Sequence, residues 1–249
     1  MTPVLLVNTA AKMLLKRSGH AVSSGSPSFP GRSFLLLTAF LFTSISLFSQ
    51  NSQEEYIKTI TDRSRKIVNG LSIKDSVVYN KVVAQLVAQY SGLNKIHEEH
   101  KTLASSVKQA NASADETAAA LKKAEEKTDL ELKTLHQSFI TSLQQLLNAE
   151  QIDLVKDGMT YRVFPITYAA YQDMIPVLTD AQKAKIYEWL KEAREMAMDA
   201  ESSDKKHAVF GKYKGRINNY LSAEGYDLKK ATEEWQQRIK ERNKPAQSR

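Results

Sequence analysis

The chain has 249 residues, 35 Lys and Arg against 28 Asp and Glu, no cysteine and a formal charge of +7. Zero cysteine excludes disulfides, thiolate nucleophiles and thiolate metal sites. The charge is concentrated at the start: residues 1–49 hold Lys12, Lys16, Arg17 and Arg32 and no acid, so the remainder carries +3 from 31 cations and 28 anions, which argues against nucleic acid as a partner.

Arg32 precedes a run that is apolar apart from a few hydroxyls, Phe34 to Phe48, followed by Ser49 and the polar QNSQEEY. A cation, an apolar core of that length and a small residue form the layout of a secretory signal peptide, predicted here to span 1–49 with cleavage after Ser49. The run is short against the ~20 residues a spanning helix needs. The expectation is an exported, periplasmic protein with no stable membrane span after cleavage.

From Gln50 onward Ala, Leu, Lys, Glu and Gln dominate, glycine and proline are sparse, and strand-like alternation is nearly absent. The fold class read from this is all-α. Helix one is expected from about Ser52 to Val68, ended by Gly70. A long helix follows from about Lys74 toward Ala110, with Tyr79, Val83, Leu86, Tyr90, Leu93, His97, His100, Ala104 and Val107 recurring at steps of three and four, a heptad seam. NASADE breaks it, with Ser113 as N-cap. A second long helix carries Leu121, Leu132, Leu135, Phe139, Leu143 and Leu146 inward. Residues 74–148 should form a long antiparallel, coiled-coil-like hairpin, and 149–243 a compact C-terminal helical bundle, together a single all-helical domain over 50–243. Residues 244–249 read as a flexible tail.

LLNAEQ at 146–151 and VLTDAQ at 177–182 each place Asn or Thr three residues before Gln, the pattern of a capping box. Leu178, Thr179 and Gln182 are also similar to the LTxxQ motif of the Spy and CpxP periplasmic chaperones. Pro165 and Pro176 should bracket a short helix, TYAAYQDMI. TDAQKAKIYEWLKEAREMAMDA is strongly amphipathic, with Ile186, Trp189, Leu190, Ala193 and Ala197 able to share a buried stripe. The last helix holds Leu228, Ala231, Trp235 and Ile239.

Carboxylates at Asp153, Asp157, Asp173, Asp180, Glu188, Glu192, Glu195 and Asp199 read as solvated faces or i, i+4 partners. His97 and His100 in HEEH are three apart, not the four a zinc peptidase needs, and His136 on the partner helix could face them. No metal site, no cofactor and no catalytic residue is assigned, and the reading leans away from an enzyme.

KKHAVFGKYKGRINNYL at 205–221 is the richest stretch. Phe210, Ile217 and Leu221 can face inward while Lys205, Lys206, Lys212 and Lys214 stay wet. Gly211 and Gly215 each cost about 1 kcal/mol in a helix, which suggests a close backbone approach or a break. Arg216, Asn218 and Asn219 offer planar donors and acceptors, and Tyr213 and Tyr220 flat faces, the equipment that vicinal hydroxyls and sugar rings require. DGMTYRVFPITYAAYQDM adds a second cluster. The candidate ligand-binding set is Tyr161, Arg162, Tyr168, Trp189, His207, Tyr213, Arg216, Asn218 and Asn219, with oligosaccharide or polysaccharide as partner.

The block from DGMTYRVFPITYAAYQDM through IPVLTDAQKAKIYEWLKEAREMAMDA to KKHAVFGKYKGRINNYLSAEGYDLKKATEEW resembles the exported Bacteroidota family of domain of unknown function 3826. The similarity runs from about Glu54 to Ile239. The resemblance implies sugar binding and a place beside polysaccharide-utilisation systems. It carries no functional residues over. Two alternatives stand beside it: a Spy-like envelope chaperone, which would be a homodimer with an apolar concave surface, and a polysaccharide lyase or hydrolase using Tyr, Arg and His207.

Overall fold

The computed structural model describes residues 53–110 and 112–243, and the leader read at 1–49 and the tail at 244–249 lie outside them. Eight α-helices follow one another: α1 (53–69), α2 (Ser76–Gln109), α3 (Ala114–Gln144), α4 (Ala149–Met159), α5 (Val163–Met174), α6 (Asp180–Met198), α7 (Ser203–Ala223) and α8 (Leu228–Arg242). Among the described residues there is no strand.

Local chemistry sets the boundaries. Ser113, Asn148 and Thr179 each accept from the backbone N–H three residues on, while Glu116, Gln151 and Gln182 reach back to the cap's own N–H. Each such cap contributes about 1 kcal/mol. Asp75, Ser202 and Asp227 cap α2, α7 and α8 through one side-chain oxygen each. α7 stops in a Schellman turn, where Tyr226 N–H donates to Leu221 O and Gly225 N–H to Ser222 O. Gly225 sits at φ +93°, which a side chain would strain. The short α5 begins at Val163, so Pro165 lies inside its first turn and does not precede it. First-turn N–H groups have no intrahelical acceptor, so the proline costs nothing there.

α2 and α3 run antiparallel. Gly92 faces Leu135, and further along His100 Nδ1 lies 2.9 Å from Thr128 Oγ1. One apolar core joins α1, α2, α3 and α4 through Ile60, Leu86, Phe139, Leu143 and Val155. A second joins α5, α6 and α7 through Phe164, Ile186, Leu190, Phe210 and Ile217. Met198, at the end of α6, is buried in the first core, so α6 serves both. α8 buries no residue and lies against the second core by Leu228 and Ala231.

The buried end of α6 needs partners for its last carbonyls. Lys206 on α7 donates from Nζ to Met198 O at 3.0 Å, and His97 on α2 donates from Nε2 to Asp199 O at 2.8 Å. Lys206 is 6% exposed, which corrects the expectation that it stays wet. Burial lowers its ammonium to about 8. Gly211 and Gly215 sit within the unbroken α7, and a Cβ at either would meet nothing within 4 Å. They mark neither a break nor a close approach, and nothing in the structure explains them.

The carboxylates expected on wet faces mostly bind other helices. Arg194, 2% exposed, gives NH2 to Asp153 at 2.6 Å and NH1 to Asp157 at 2.7 Å, with its guanidinium 5.0 Å from the Phe164 ring. Glu195 takes Lys156 at 2.7 Å, and Asp173 takes Trp235 Nε1 at 2.7 Å and Arg242 at 2.6 Å. Like His97, whose Nε2 meets the Asp199 backbone oxygen, His136 is taken up by Asp199. Its Nδ1 lies 2.8 Å from Asp199 Oδ2 and its Nε2 3.5 Å from Glu195 Oε2. Those carboxylates, Asp199 foremost, raise the imidazole to about 9 against the opposing effect of burial. Burial pushes Glu195 up, but His136, Lys156 and Arg194 outweigh it and hold the carboxyl at about 2.

Candidate functional site

A cleft of about 760 Å³ lies between α1, the middle of α2, and the corner where α4 turns into α5. Its apolar lining comes from Ile67, Leu71, Leu154 and Met159, its aromatic rings from Tyr90 and Tyr161, and its charges from Asp62, Arg63, Lys66, Asp157 and Arg162. Gly158 sets the approach of two walls. A Cβ there would stand 2.9 Å from both Cγ1 and Cγ2 of Ile67, so only glycine lets α4 lie this close to α1.

The corner itself is strained. Tyr161 and Arg162 both have φ 57°, two consecutive side-chain-bearing residues in the left-handed region. That region costs roughly 1–3 kcal/mol per non-glycine residue. Three backbone bonds lock the turn: Thr160 N–H to Asp157 O at 3.2 Å, Arg162 N–H to the same oxygen at 2.7 Å, and Val163 N–H to Thr160 O at 3.2 Å. The result holds the Tyr161 ring, 41% exposed, at the cleft with the Arg162 side chain beside it. His207 backs that ring, stacked at 5.6 Å with 14° between planes.

On the opposite wall Tyr90 is buried, and burial pushes its phenol up to about 12. The Arg63 guanidinium lies over the Tyr90 ring at 5.6 Å, a cation–π contact that orients it. Asp62 is engaged by Lys58 at 3.2 Å and Arg65 at 3.8 Å, and Asp157 by Arg194. Among the described residues no carboxylate lies within 4.0 Å of Arg63, Lys66 or Arg162.

The nine residues singled out from the sequence do not share one place. Tyr161 and Arg162 line the cleft, with His207 behind Tyr161. Trp189 and Arg216 form a separate stack on α6 and α7: the guanidinium sits 4.5 Å over the indole, Tyr220 meets the indole edge-on at 5.4 Å, and Lys185 stands 5.4 Å from it. Glu192 pairs with Arg216 at 3.7 Å. Tyr168 packs edge-on against Tyr187 at 5.3 Å. Tyr213 is buried in the second core, so its ring offers no face to a ligand. Asn218 Oδ1 accepts from Tyr171 Oη at 2.7 Å. Asn219 is exposed on α7, and neither asparagine lines the cleft.

Arg63 and Lys66 are not among the nine, and Tyr90 reads from the sequence as a position of the helix seam, not of a ligand site. DRSRK at 62–66 carried a signal, since Arg63 and Lys66 are three apart and share a helix face. Leu178, Thr179 and Gln182 are taken up by structure: Leu178 is core, Thr179 is the cap, and Gln182 binds Glu224 at 3.0 Å and Tyr226 at 2.9 Å. Among the described residues no group of three His, Cys, Asp or Glu is placed to hold a metal ion, and no helix is long and apolar enough to cross a membrane.

A family described as "Protein of unknown function (DUF3826)" matches residues 57–241, nearly the whole helical region. No curated protein matches the chain.

Proposed function

The chain belongs to the DUF3826 family, and we propose that it is an exported, periplasmic protein that binds oligosaccharide or polysaccharide in the cleft between α1, α2 and the α4–α5 corner. It acts as a binding or accessory component of polysaccharide use and performs no chemistry of its own. The observation that carries this reading is the Tyr161–Arg162 corner, two adjacent residues held at φ 57° beside a cleft of about 760 Å³. Packing alone would favour glycine at both positions. Strain of this kind clusters at ligand clamps, where the display of the side chains offsets it.

The cleft volume falls in the range of small-molecule sites, about 300–1,000 Å³. Tyrosine rings match the apolar faces of pyranoses, and a guanidinium matches adjacent hydroxyls. Export is supported by the cation, apolar run and small residue at Arg32 to Ser49. The antiparallel α2 and α3 serve as a long arm carried by the α1–α4 core, with α5 to α8 as the compact part.

Calorimetric titration of the secreted protein with a panel of neutral and acidic oligosaccharides tests the reading. Binding tighter than millimolar by at least one of them, weakened in Tyr161→Ala, is expected. No binding across the panel contradicts it.

A further inference from the structure

Taking the cleft as the sugar-binding site, we propose that its ligand is acidic: a carboxylate-bearing, uronate-type oligosaccharide, selected by Arg63, Lys66 and Arg162. Five charged side chains line the cleft, and its two acids are already engaged, Asp62 by Lys58 and Arg65 and Asp157 by Arg194. Its three cations have no carboxylate within 4.0 Å among the described residues. The imbalance is local, because the chain after residue 49 is near neutral with 31 cations and 28 anions.

The cations come from two walls. Arg63 and Lys66 lie on one face of α1, and Arg162 comes from the α4–α5 corner. One guanidinium and the backbone that carries the other are set before any ligand arrives. Arg63 is held over Tyr90 at 5.6 Å, and the Arg162 backbone is fixed by its N–H bond to Asp157 O at 2.7 Å. A guanidinium presents paired N–H donors that match the two oxygens of a carboxylate, and an ammonium adds a point charge. Tyr161, 41% exposed, supplies the flat apolar surface that distinguishes a sugar acid from a bare anion, while the buried Tyr90 ring sets Arg63. The three cations are solvent-exposed, so an acidic glycan gains charge-assisted bonds here that a neutral one cannot offer.

The experiment compares four ligands on the secreted full-length protein: oligogalacturonate, its fully methyl-esterified form, a neutral gluco-oligosaccharide of equal length, and poly-glutamate. The expected result is that oligogalacturonate binds about tenfold or more tighter than its ester and the neutral glycan, and that its affinity falls with added salt. Arg162→Gly, which relieves strain and so keeps the fold, should lose about tenfold, as should the exposed-face pair Arg63→Gln with Lys66→Gln. Equal binding of the ester overturns the charge selection and leaves the sugar reading standing. Poly-glutamate binding as tightly as oligogalacturonate overturns the sugar reading and leaves an anion site. No binding by any of the four overturns both.

Discussion

Asp157 lines the cleft, yet its carboxylate belongs to the interior: Oδ1 accepts from Arg194 NH1 at 2.7 Å. The same guanidinium holds Asp153 at 2.6 Å, so one side chain of α6 pins two turns of α4 immediately before the strained corner. The wall that displays Tyr161 and Arg162 is therefore anchored by a charge that is 2% exposed.

Truncating that anchor leaves Asp157 partly buried without its partner. Arg194→Ala should cost about 3–5 kcal/mol. The double variant Arg194→Met with Asp157→Leu should recover most of the loss, because an apolar pair of similar volume removes the unmatched charge. Urea unfolding of the three proteins measures both. A double variant no better than Arg194→Ala would show that the loss is a packing effect.

Stability and binding should move in opposite directions at the corner. Tyr161→Gly and Arg162→Gly each relax a residue at φ 57° and should raise stability by up to about 1 kcal/mol while weakening ligand binding. Thermal unfolding beside a binding titration checks the pair. Loss of stability in both would mean that the side chains hold the turn together and are not displayed at its expense.

Two glycines make opposite predictions for the same change. Gly158→Ala drives a methyl to 2.9 Å from the Cγ atoms of Ile67, a stiff β-branched side chain, and should cost about 1–3 kcal/mol and distort the cleft. Gly211→Ala meets nothing within 4 Å inside α7 and should stabilise by about 1 kcal/mol. Denaturant midpoints of the two variants decide it.

The α6 terminus makes stability depend on pH. Asp199 and then Glu195 raise His136 to about 9 from 6.5, so the folded chain holds this proton more tightly than the unfolded one. The stabilisation is complete below pH 6.5 and is lost as pH rises through 9, with an upper bound on the order of 3 kcal/mol. Lys206 has the opposite sign: its ammonium is lowered from 10.5 to about 8, so stability grows from pH 8 upward. Between pH 6.5 and 8 the His136 effect should dominate, with the midpoint falling. His136→Gln should flatten that slope, and an unchanged slope in the variant would contradict the assignment.

What could be read from the sequence was what depends on near neighbours. Ser113, Asn148 and Thr179 were identifiable as caps because donor, acceptor and reciprocating side chain lie within four residues. The amphipathic stripe was legible from its spacing at Ile186, Leu190, Ala193 and Ala197, but Trp189, read as part of it, is only half-buried. Lys206 was not, since its burial follows from the end of α6 arriving beside α7. The cleft was only half legible. Tyr161 and Arg162 stood out by type, but their left-handed backbone leaves no mark when neither residue is glycine or asparagine. Their partners Arg63, Lys66 and Tyr90 lie 70 to 100 residues earlier and meet them only in the folded chain. Trp189 and Arg216 looked like part of the same site because sequence carries no information on which surface of a helix pair a residue ends up sharing.

Hydrogen–deuterium exchange with and without oligogalacturonate reports most directly on where the ligand sits. The account predicts slowed exchange in residues 62–71 and 154–162, with little change around Trp189 and Tyr220. Protection confined to α6 and α7 near Trp189, with the α1 and α4–α5 segments unchanged, would contradict it.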